Sequence, residues 1–385
     1  MKSNIKSQIE GYRDIVKENE ILRKHADRPT NERGEVAKVI NRYHPSTLEL
    51  KVSEIIRETE SSSTLRLIST SGYLPPFQAG QYINLFVEVN GIRTSRPYSI
   101  SSAPNQVGYY DLTVRGLQEG FVSDHLLGDV SVGDVLSSTA PTGNFYYNPL
   151  FHGDNLVYIA GGSGITPFMS MIREVTDRGL ERNIHLIYGS RIESDIVFKQ
   201  ELEERMKTHK RLTVTHVISE PGAGYTGAKG FITSDVIRNA INDFSDKMFY
   251  VCGPEAMYSF VLKELEAMSI PKRKVRVEVF GPPAHIEQQP GWPEHVKAKD
   301  RFQVRINKNS KIEAVAGEPL MNSMERMGKS LPASCRSGEC SLCRTRLISG
   351  RVYQPATVKM RKSDLKYNYI HPCMAYPLED LELSL

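Results

Sequence analysis

The 385 residues include 39% apolar and 24% charged side chains, a formal net charge of +4 and five cysteines. This length predicts two to four globular domains. No segment approaches eighteen uninterrupted apolar residues, so neither a membrane span nor a signal peptide is expected. The small, scattered charge gives no nucleic-acid footprint. Few, unevenly placed cysteines favour metal binding in a reducing cytoplasm over a secreted disulfide scaffold.

The first predicted region is a helical extension, residues 1–47, in which Ile5, Ile9 and Tyr12 recur at helical spacing before an expected linker, HADRPTNERGE. The sequence then alternates apolar and polar residues in runs such as LELKVSEII and QYINLFVEV, broken by Pro and Gly. That alternation predicts a small antiparallel barrel over residues 48–148.

Strand-like and helix-like segments alternate through residues 149–281, from NLVYIA and PFMSMIREVTDRG to EAMYSFVLKELEAM and VRVEVFG. Such alternation predicts a parallel sheet covered by helices on both faces. The Pro-rich stretch GPPAHIEQQPGWPEH predicts an extended linker over residues 282–301. A last module then spans residues 302–385.

Three cysteines stand within nine positions of the last module: Cys335, Cys340 and Cys343. Their thiols can face one small volume if the backbone loops, and Gly338 supplies that freedom. C-x4-C-x2-C with a distant fourth cysteine is the plant-type 2Fe-2S spacing. Cys373 is the remaining candidate, because Cys252 lies in another domain. A zinc or free-thiol loop is the alternative, and His371, beside Cys373, is expected at the surface rather than as a ligand.

The last 85 or so residues resemble plant-type ferredoxin, from C-R-S-G-E-C-S-L-C-R to a Cys ahead of the closing strand LEDLEL. The resemblance implies a 2Fe-2S cluster on an α+β, β-grasp fold. A cluster of this type moves one electron at a time, at a reduction potential of about −400 mV. Something upstream must therefore supply single electrons.

The stretch SRPYSISSAP offers a cation, a ring and a hydroxyl at Arg96, Tyr98 and Ser99. On a strand Arg96 and Tyr98 point one way and Ser99 the other, so phosphate and ring contacts are expected. An exposed Arg and a core Tyr are the simpler alternative. Downstream, GFVSDHLL begins a short helix whose free amides suit a pyrophosphate, unless Ser123 only caps the helix.

Two further motifs end predicted parallel strands. AGGSGITPF, residues 160–168, stands between a strand and a helix, and its small residues let a pyrophosphate approach the helix N-terminus. YVCGPEAM, residues 250–257, ends another strand, and open sheets bind ligands beyond such ends. A ligand-free Gly-rich turn and a buried packing Cys are the alternatives.

In this order, R-P-Y-S, G-F-V-S, G-G-S-G-I-T-P, C-G-P and E-V-F-G resemble the ferredoxin-NADP reductase superfamily over about residues 48–281, the reductase half of flavohaemoglobins in particular. With a ferredoxin module behind it, the chain is similar to one-chain reductases of oxygenase systems and to the reductase of hybrid-cluster protein. The resemblance implies an antiparallel β-barrel flavin domain followed by an α/β parallel-sheet nucleotide domain.

The resemblance also implies roles. Arg96 would neutralise flavin phosphate, Tyr98 would pack on the isoalloxazine, and Ser99 would hydrogen-bond near flavin N5. Candidate flavin ligands are Arg96, Pro97, Tyr98, Ser99, Gly120, Val122, Ser123 and Phe280. Candidate nicotinamide-dinucleotide ligands are Gly161, Gly162, Gly164, Thr166, Ser190, Arg191, Cys252 and Gly253. Candidate catalytic residues are Ser99, Cys252, Glu278 and Phe280, and candidate metal ligands are Cys335, Cys340, Cys343 and Cys373.

FAD is expected rather than FMN, because G-x-V-S before a helix resembles the FAD-type diphosphate site. The nicotinamide coenzyme stays open. No Asp or Glu directly follows NIHLIYG, where a ribose 2′-hydroxyl would want one, and Arg191 could accept a 2′-phosphate. Relatives that use NADH also carry Arg there, so NADH is slightly favoured over NADPH.

The expected function is an NAD(P)H-dependent FAD and 2Fe-2S reductase that passes single electrons to a separate redox protein, such as an oxygenase, a hybrid-cluster protein or another metalloprotein. One rival is a non-autonomous electron-transfer subunit of a larger oxidoreductase complex. Another is a redox sensor or docking module. No nucleic-acid partner is expected.

Overall fold

The computed structural model describes residues 11–25, 32–43, 45–117 and 120–385. The chain divides into two compact units, Met1–Ser46 and Thr47–Leu385. The first contains two helices, α1 (Tyr12–His25) and α2 (Glu32–Tyr43). Ile5 and Ile9 of the predicted extension, and positions 26–31 of the expected linker, lie outside the described residues. Helix α2 begins within the stretch expected as that linker.

The second unit begins with a six-stranded antiparallel sheet in the order β4-β3-β6-β1-β2-β5. Its strands are β1 (Leu48–Thr59), β2 (Ser62–Ser69), β3 (Tyr82–Val89), β4 (Ile92–Ser99), β5 (Tyr110–Arg115) and β6 (Val135–Ser138), with helix α3 (Phe121–Gly128) before β6. A bridge between Ile100 and Leu112 joins the two edge strands and closes the barrel. Leu48, Leu50 and Val52 of β1 point into its core, while Glu49 and Lys51 face solvent, as period-two alternation requires.

The next layer is a parallel sheet in the order β10-β9-β8-β7-β11-β12. Its strands are β7 (Asn155–Gly161), β8 (Asn183–Ser190), β9 (Leu212–Ile218), β10 (Ala228–Lys229), β11 (Met248–Cys252) and β12 (Val275–Glu278), and its helices are α4 (Ile165–Asp177), α5 (Lys199–Thr208), α6 (Ser234–Ala240) and α7 (Glu255–Ala267). Two apolar cores cover its opposite faces. The strand order reverses at β7, and a crevice for ligands forms beyond the carboxyl ends of strands at such a point.

The last module is built on a mixed five-stranded sheet in the order β14-β13-β19-β15-β17. Its elements are β13 (Arg301–Ile306), β14 (Ser310–Val315), α8 (Leu320–Arg326), β15 (Thr345–Ser349), β16 (Val352–Tyr353), α9 (Lys362–Lys366), β17 (Tyr369–Ile370), β18 (Tyr376–Pro377) and β19 (Leu381–Ser384). Strand β19 pairs parallel with β13 and antiparallel with β15. The cysteine loop lies between α8 and β15.

The segment that connects the last two modules is packed against both of them. Ile286 is fully buried, and the Gln289 side-chain amide donates to Glu255 of α7 at 2.6 Å. Trp292 packs edge-on against Tyr353, with ring centroids 5.4 Å apart.

The predicted fold class is confirmed: an antiparallel barrel, a helix-covered parallel sheet and an α+β ferredoxin-like module follow one another. Among the residues described, no helix has the length and apolar character that crossing a bilayer requires.

Candidate redox site

A cavity of about 690 Å³ lies where the three modules of the second unit meet. Its volume is within the range of about 300–1,000 Å³ that is typical of ligand sites. The predicted flavin ligands come together on its wall, joined by Arg336 of the cysteine loop and by the predicted cluster ligand Cys373. The lining includes Arg96, Pro97, Tyr98, Ser99, Gly120, Val122, Ser123, Thr166, Phe280, Arg336 and Cys373.

Ser99 ends strand β4 with its side chain almost entirely buried, 4% exposed. Its Oγ has no hydrogen-bond partner among the described residues. A buried hydroxyl without a partner costs about 1–3 kcal/mol, so such groups are usually satisfied. Because Ser99 lines the cavity, a polar ligand atom in the cavity would satisfy it. The site therefore fits a polar ring edge such as that of a flavin.

Arg96 supplies positive charge to the same wall. Its guanidinium donates to Thr94 Oγ1 at 2.8 Å and to the Ser95 carbonyl at 2.7 Å, and no carboxylate of the described residues forms an ion pair with it. Burial, with Arg336 nearby, lowers the pKa of Arg96 to about 10, so Arg96 still carries its charge at neutral pH. A cation without an acidic partner favours an anion such as a phosphate.

Two aromatic rings reach the cavity from different modules. Tyr98 comes from β4, and burial raises the pKa of its hydroxyl to about 12. Phe280 follows β12 and is 37% exposed. A planar ligand in the cavity could therefore contact aromatic side chains of the barrel and of the nucleotide module.

The N-terminus of α3 opens on the cavity at Gly120. No side chain caps this helix, and Ser123 lies within its first turn, so Ser123 is not the N-cap residue. A Cβ on Gly120 would lie 2.1 Å from Ser123 Oγ and 2.8 Å from Asp124 Oδ1, so a larger residue there would have to displace both side chains. The amides of the first turn thus remain available to a diphosphate.

The glycine turn after β7 lies against the end of β11. Gly162 has φ +51°, and a Cβ on Gly164 would lie 2.2 Å from the Cys252 carbonyl oxygen. Thr166 Oγ1 donates to the Ser163 carbonyl at 3.0 Å, which fixes the turn. The predicted residues of both strand ends, Gly253 included, therefore lie together at the point where the strand order reverses. Cys252 is fully buried, and burial raises the pKa of its thiol well above the usual value, so it stays protonated.

Ser190 and Arg191 end the neighbouring strand β8. Ser190 is buried, whereas the Arg191 side chain is 61% exposed. Glu220, which follows β9, donates its backbone amide to the Arg191 carbonyl at 2.8 Å and places its carboxylate 3.9 Å from the guanidinium. The sequence prediction missed this acid because it arrives from the next strand, 29 positions after Arg191.

The four predicted metal ligands form two pairs. Cys343 Sγ lies 3.4 Å from Cys373 Sγ. Cys335 Sγ accepts the Cys340 amide at 3.4 Å, and the Cys340 thiol beside it lowers the pKa of Cys335 to about 4. In the described part of the chain, no group of three His, Cys, Asp or Glu side chains is arranged so that it could hold one metal ion. Two pairs fit a cluster with four thiolates on two irons, whereas zinc gathers its ligands around one centre.

His371 was expected at the surface, and that expectation is wrong. Its side chain is fully buried, and its Nδ1 lies 3.1 Å from the Gly338 carbonyl of the cysteine loop. The ring supports the loop backbone from behind. Its neighbours in the sequence gave no sign of this, because the contact spans 33 positions.

Three family sequence models match the chain in order: an oxidoreductase FAD-binding domain over residues 48–147, an oxidoreductase NAD-binding domain over 158–263 and a 2Fe-2S iron-sulfur cluster binding domain over 304–378. The chain belongs to the ferredoxin-NADP reductase superfamily. As a reductase of this kind it binds FAD, a nicotinamide dinucleotide and a 2Fe-2S cluster, which confirms the three predicted cofactors.

Relatives that align with the chain over nearly their whole length support the assignment. The reductase is 26% identical over 337 residues to the glycine betaine monooxygenase reductase subunit of Chromohalobacter salexigens, covering 84% of this chain and 91% of the relative. It is 28% identical over 338 residues to the NADH oxidoreductase HCR of Escherichia coli, covering 87% and 97%. Phthalate dioxygenase reductase has the same fold, with a TM-score of 0.66, 24% identity and coverage of 88% and 98%.

Predicted cluster ligands of the reductase border the cavity directly. Cys373 lines the main cavity together with Ser99. A small adjoining cleft is bordered by Ser99, Glu278 and Cys335. Burial, with Glu339 nearby, raises the pKa of Glu278 to about 8, so this carboxyl is mostly protonated at neutral pH. The predicted flavin and cluster ligands are thus neighbours.

A buried ion pair joins the cysteine loop to the barrel. Arg336 and Glu325 of α8 form it, with side chains 5% and 6% exposed. Thr94 of β4 donates to Glu325 at 2.9 Å and accepts from Arg336 at 3.2 Å. Arg336 has φ +51°, a left-handed conformation that is uncommon for a residue other than glycine.

Neutral groups extend this contact. Asn84 Nδ2 donates to the Ala333 carbonyl at 2.8 Å, and Arg336 Nε donates to Ser95 Oγ at 3.3 Å. We call this network, which fixes the cysteine loop to strands β3 and β4, the inner contact; its members are Asn84, Thr94, Ser95, Glu325, Ala333 and Arg336. None of them was among the predicted site residues.

Proposed function

We propose that the chain oxidises NADH at a flavin and delivers single electrons through its cluster to a separate redox protein. One observation carries the proposal: the predicted flavin residue Ser99 and the predicted cluster ligand Cys373 line the same cavity. The overall reaction converts NADH and two molecules of a one-electron acceptor into NAD⁺, one proton and two reduced acceptors.

The chain's own residues bind, orient and shield in this mechanism. FAD, when bound, supplies the conversion between a two-electron and a one-electron donor. Arg96 and the first turn of α3 would hold its phosphates, and Ser99 Oγ would donate a hydrogen bond to the ring. Phe280 would exclude water from the opposite side, and Glu278 would hold a proton beside the site at neutral pH.

The nicotinamide half would enter between the two strand ends at the reversal point, Gly161–Gly164 and Cys252–Gly253. The buried, protonated Cys252 would contribute a neutral surface rather than a nucleophile. Because the glycine turn lies tightly against β11, any side chain added at Gly164 should displace the residues that contact the coenzyme.

We favour NADH over NADPH because Glu220 places a carboxylate beside Arg191. A carboxylate can accept a hydrogen bond from a ribose 2′-hydroxyl and repels a 2′-phosphate. Glu220→Gln should therefore lower the KM for NADPH and raise that for NADH. Arg191→Ala should raise the KM for NADPH alone if its guanidinium meets the phosphate. If each substitution changed the KM for NADH and the KM for NADPH by the same factor, Glu220 and Arg191 would not contact the 2′ position of the coenzyme.

We propose an oxygenase component as the acceptor, since relatives that align over nearly their whole length are named as monooxygenase reductase subunits. A hybrid-cluster protein or another metalloprotein would need the same donor. A reducing compartment such as the cytoplasm is the proposed location, because disulfides between the paired thiols would compete with the cluster.

The proposal is tested with the purified chain alone. It should release FAD on extraction, contain iron and acid-labile sulfide in equal amounts, and oxidise NADH with cytochrome c as acceptor. Release of FMN or stoichiometric zinc would overturn the cofactor assignment. NADH oxidation that appears only after a second subunit is added would make the chain a non-autonomous component of a larger complex.

A further inference from the structure

The ferredoxin-like module carries an unusual concentration of positive charge beside its cysteine loop. Between Leu342 and Tyr367 the sequence has seven basic residues and one acidic residue, Asp364; the basic ones are Arg344, Arg346, Arg351, Lys359, Arg361, Lys362 and Lys366. Arg351 pairs with Glu379. We call the other six the basic rim.

The basic rim is exposed, and most of its charge is unpaired. Asp364 is buried, 1% exposed, and lies 3.5 Å from Arg344. Lys359 pairs with Glu339 at 2.5 Å. Around the remaining four side chains, no carboxylate within the described ranges forms an ion pair; these are Arg346, Arg361, Lys362 and Lys366. A surface of this kind produces a positive field with little internal compensation.

The basic rim borders the outer edge of the cysteine loop. Arg344 directly follows the predicted ligand Cys343, and the Lys359 amide donates to the Gly338 carbonyl at 3.2 Å. Leu342 lies in this loop, between the predicted ligands Cys340 and Cys343 in the sequence, and is 51% exposed. An apolar contact surrounded by charges is the common arrangement of a protein-binding surface.

Resting on the proposed function, we propose that the basic rim and Leu342 form the docking surface for a redox protein with an acidic face around its own redox centre. Opposite charges would steer the partner toward the edge of the loop and orient it for transfer. Leu342 would fill an apolar contact close to the cluster. The inner contact holds the other side of the loop against the barrel, so this edge is the one left for a partner.

Two forms of one acceptor test the charge requirement. Native cytochrome c presents lysine ammonium groups, and succinylation converts them into carboxylates without changing the haem. We expect the holoenzyme at low ionic strength to reduce the succinylated form with a kcat/KM about ten times higher, because steering changes encounter rates by about 10- to 1,000-fold. Added KCl should remove the advantage.

Charge reversal locates the surface. Arg361→Glu/Lys362→Glu should lower kcat/KM for succinylated cytochrome c about tenfold at low salt. Lys308→Glu/Lys311→Glu makes the same charge change in the β13–β14 hairpin, where both residues are also exposed, and should change it less than about twofold. Proteins are compared at equal flavin and cluster absorbance, with rates divided by each protein's NADH–ferricyanide rate.

The outcomes separate the two proposals. Equal, salt-independent rates with both cytochromes would overturn the docking surface, and so would equal losses of kcat/KM in both double variants. In either case, an active NADH–ferricyanide reaction would leave the proposed function standing. If the wild-type holoenzyme fails to oxidise NADH with ferricyanide and with either form of cytochrome c, both proposals are overturned.

Discussion

The cysteine loop has two sides that are built in opposite ways. On the inner side, Arg336 and Glu325 are almost completely buried, and both are hydrogen-bonded to Thr94 as well as paired with each other. On the outer side, Leu342 is half exposed, and Arg361 and Lys362 project into solvent without acidic partners in the described part of the chain. The inner side therefore favours one fixed geometry, whereas the outer side favours a transient complex with another protein.

The difference matters because electron entry and exit have different requirements. Flavin and cluster remain in the same molecule, so a buried, directional contact can hold the predicted ligands beside the cavity permanently. An acceptor must arrive, react and leave, and long-range attraction speeds arrival without a large buried area. Buried ion pairs hold geometry, and exposed ones contribute little stability.

The largest effect is expected from removing the cluster, which links the two sides. Cys343→Ser should reduce the rate with cytochrome c by more than about 100-fold. Mutation of a residue that only hydrogen-bonds to a metal ligand already lowers metal affinity or activity by about 10- to 100-fold, and Cys343 is itself a predicted ligand. NADH oxidation with ferricyanide, which can take electrons from reduced flavin, should persist. Stopped-flow absorbance measures both. If cytochrome c were still reduced at the wild-type rate, the cluster would not be the exit.

Breaking the inner contact should mainly affect stability. Glu325→Ala leaves the Arg336 guanidinium buried without its partner, which should lower the free energy of unfolding by about 3–5 kcal/mol. Urea denaturation followed by fluorescence of Trp292, the only tryptophan, reports on this module. Glu313→Ala breaks the exposed pair with Arg301 and should cost less than about 1 kcal/mol. Equal costs would contradict the distinction between a fixed and an open side.

Arg96 lies two residues beyond Thr94 on β4 and tests whether the barrel strand serves the flavin as well as the loop. Arg96→Ala should weaken FAD binding by about 10- to 100-fold, because a charge-assisted hydrogen bond contributes about 1.5–3 kcal/mol. Arg93→Ala, on the solvent side of the same strand, is the control. Dialysis and flavin fluorescence measure retention. Retention that is unchanged in Arg96→Ala would place the phosphates elsewhere.

The smallest effect is expected at Leu342. Leu342→Ala should change the free energy of unfolding by no more than about 0.5 kcal/mol, because the side chain is half exposed. The KM for succinylated cytochrome c should nevertheless rise severalfold. A loss of stability comparable to that of Glu325→Ala would show that the outer side is also a structural contact.

The features that the sequence predicted best are those formed by residues close together in the chain. Cys335, Cys340 and Cys343 lie within nine positions, and the glycine turn after β7 is a continuous motif, so their spacing alone indicated chemistry. The confirmed fold class likewise follows from alternation within single strands and from the order of strands and helices. The roles of the predicted site residues stay predictions, although the structure brings the flavin candidates to one cavity.

Contacts between distant segments could not be read from the sequence. Thr94 and Glu325 are 231 positions apart, and nothing in either neighbourhood signals the other. His371 was misplaced for the same reason, since its burial depends on how β17 and the cysteine loop pack. Glu220 was missed because parallel strands align ends that are far apart along the chain.

The inner contact also bears on how such enzymes can be recombined. The Pro-rich connection near residues 282–300 looks like the natural place to exchange one ferredoxin module for another. Asn84, Thr94 and Ser95, however, belong to the barrel, and their partners Glu325, Ala333 and Arg336 belong to the module that would be exchanged. A chimaera joined there would inherit half of a polar interface, so a working graft has to carry the matching barrel side chains with it.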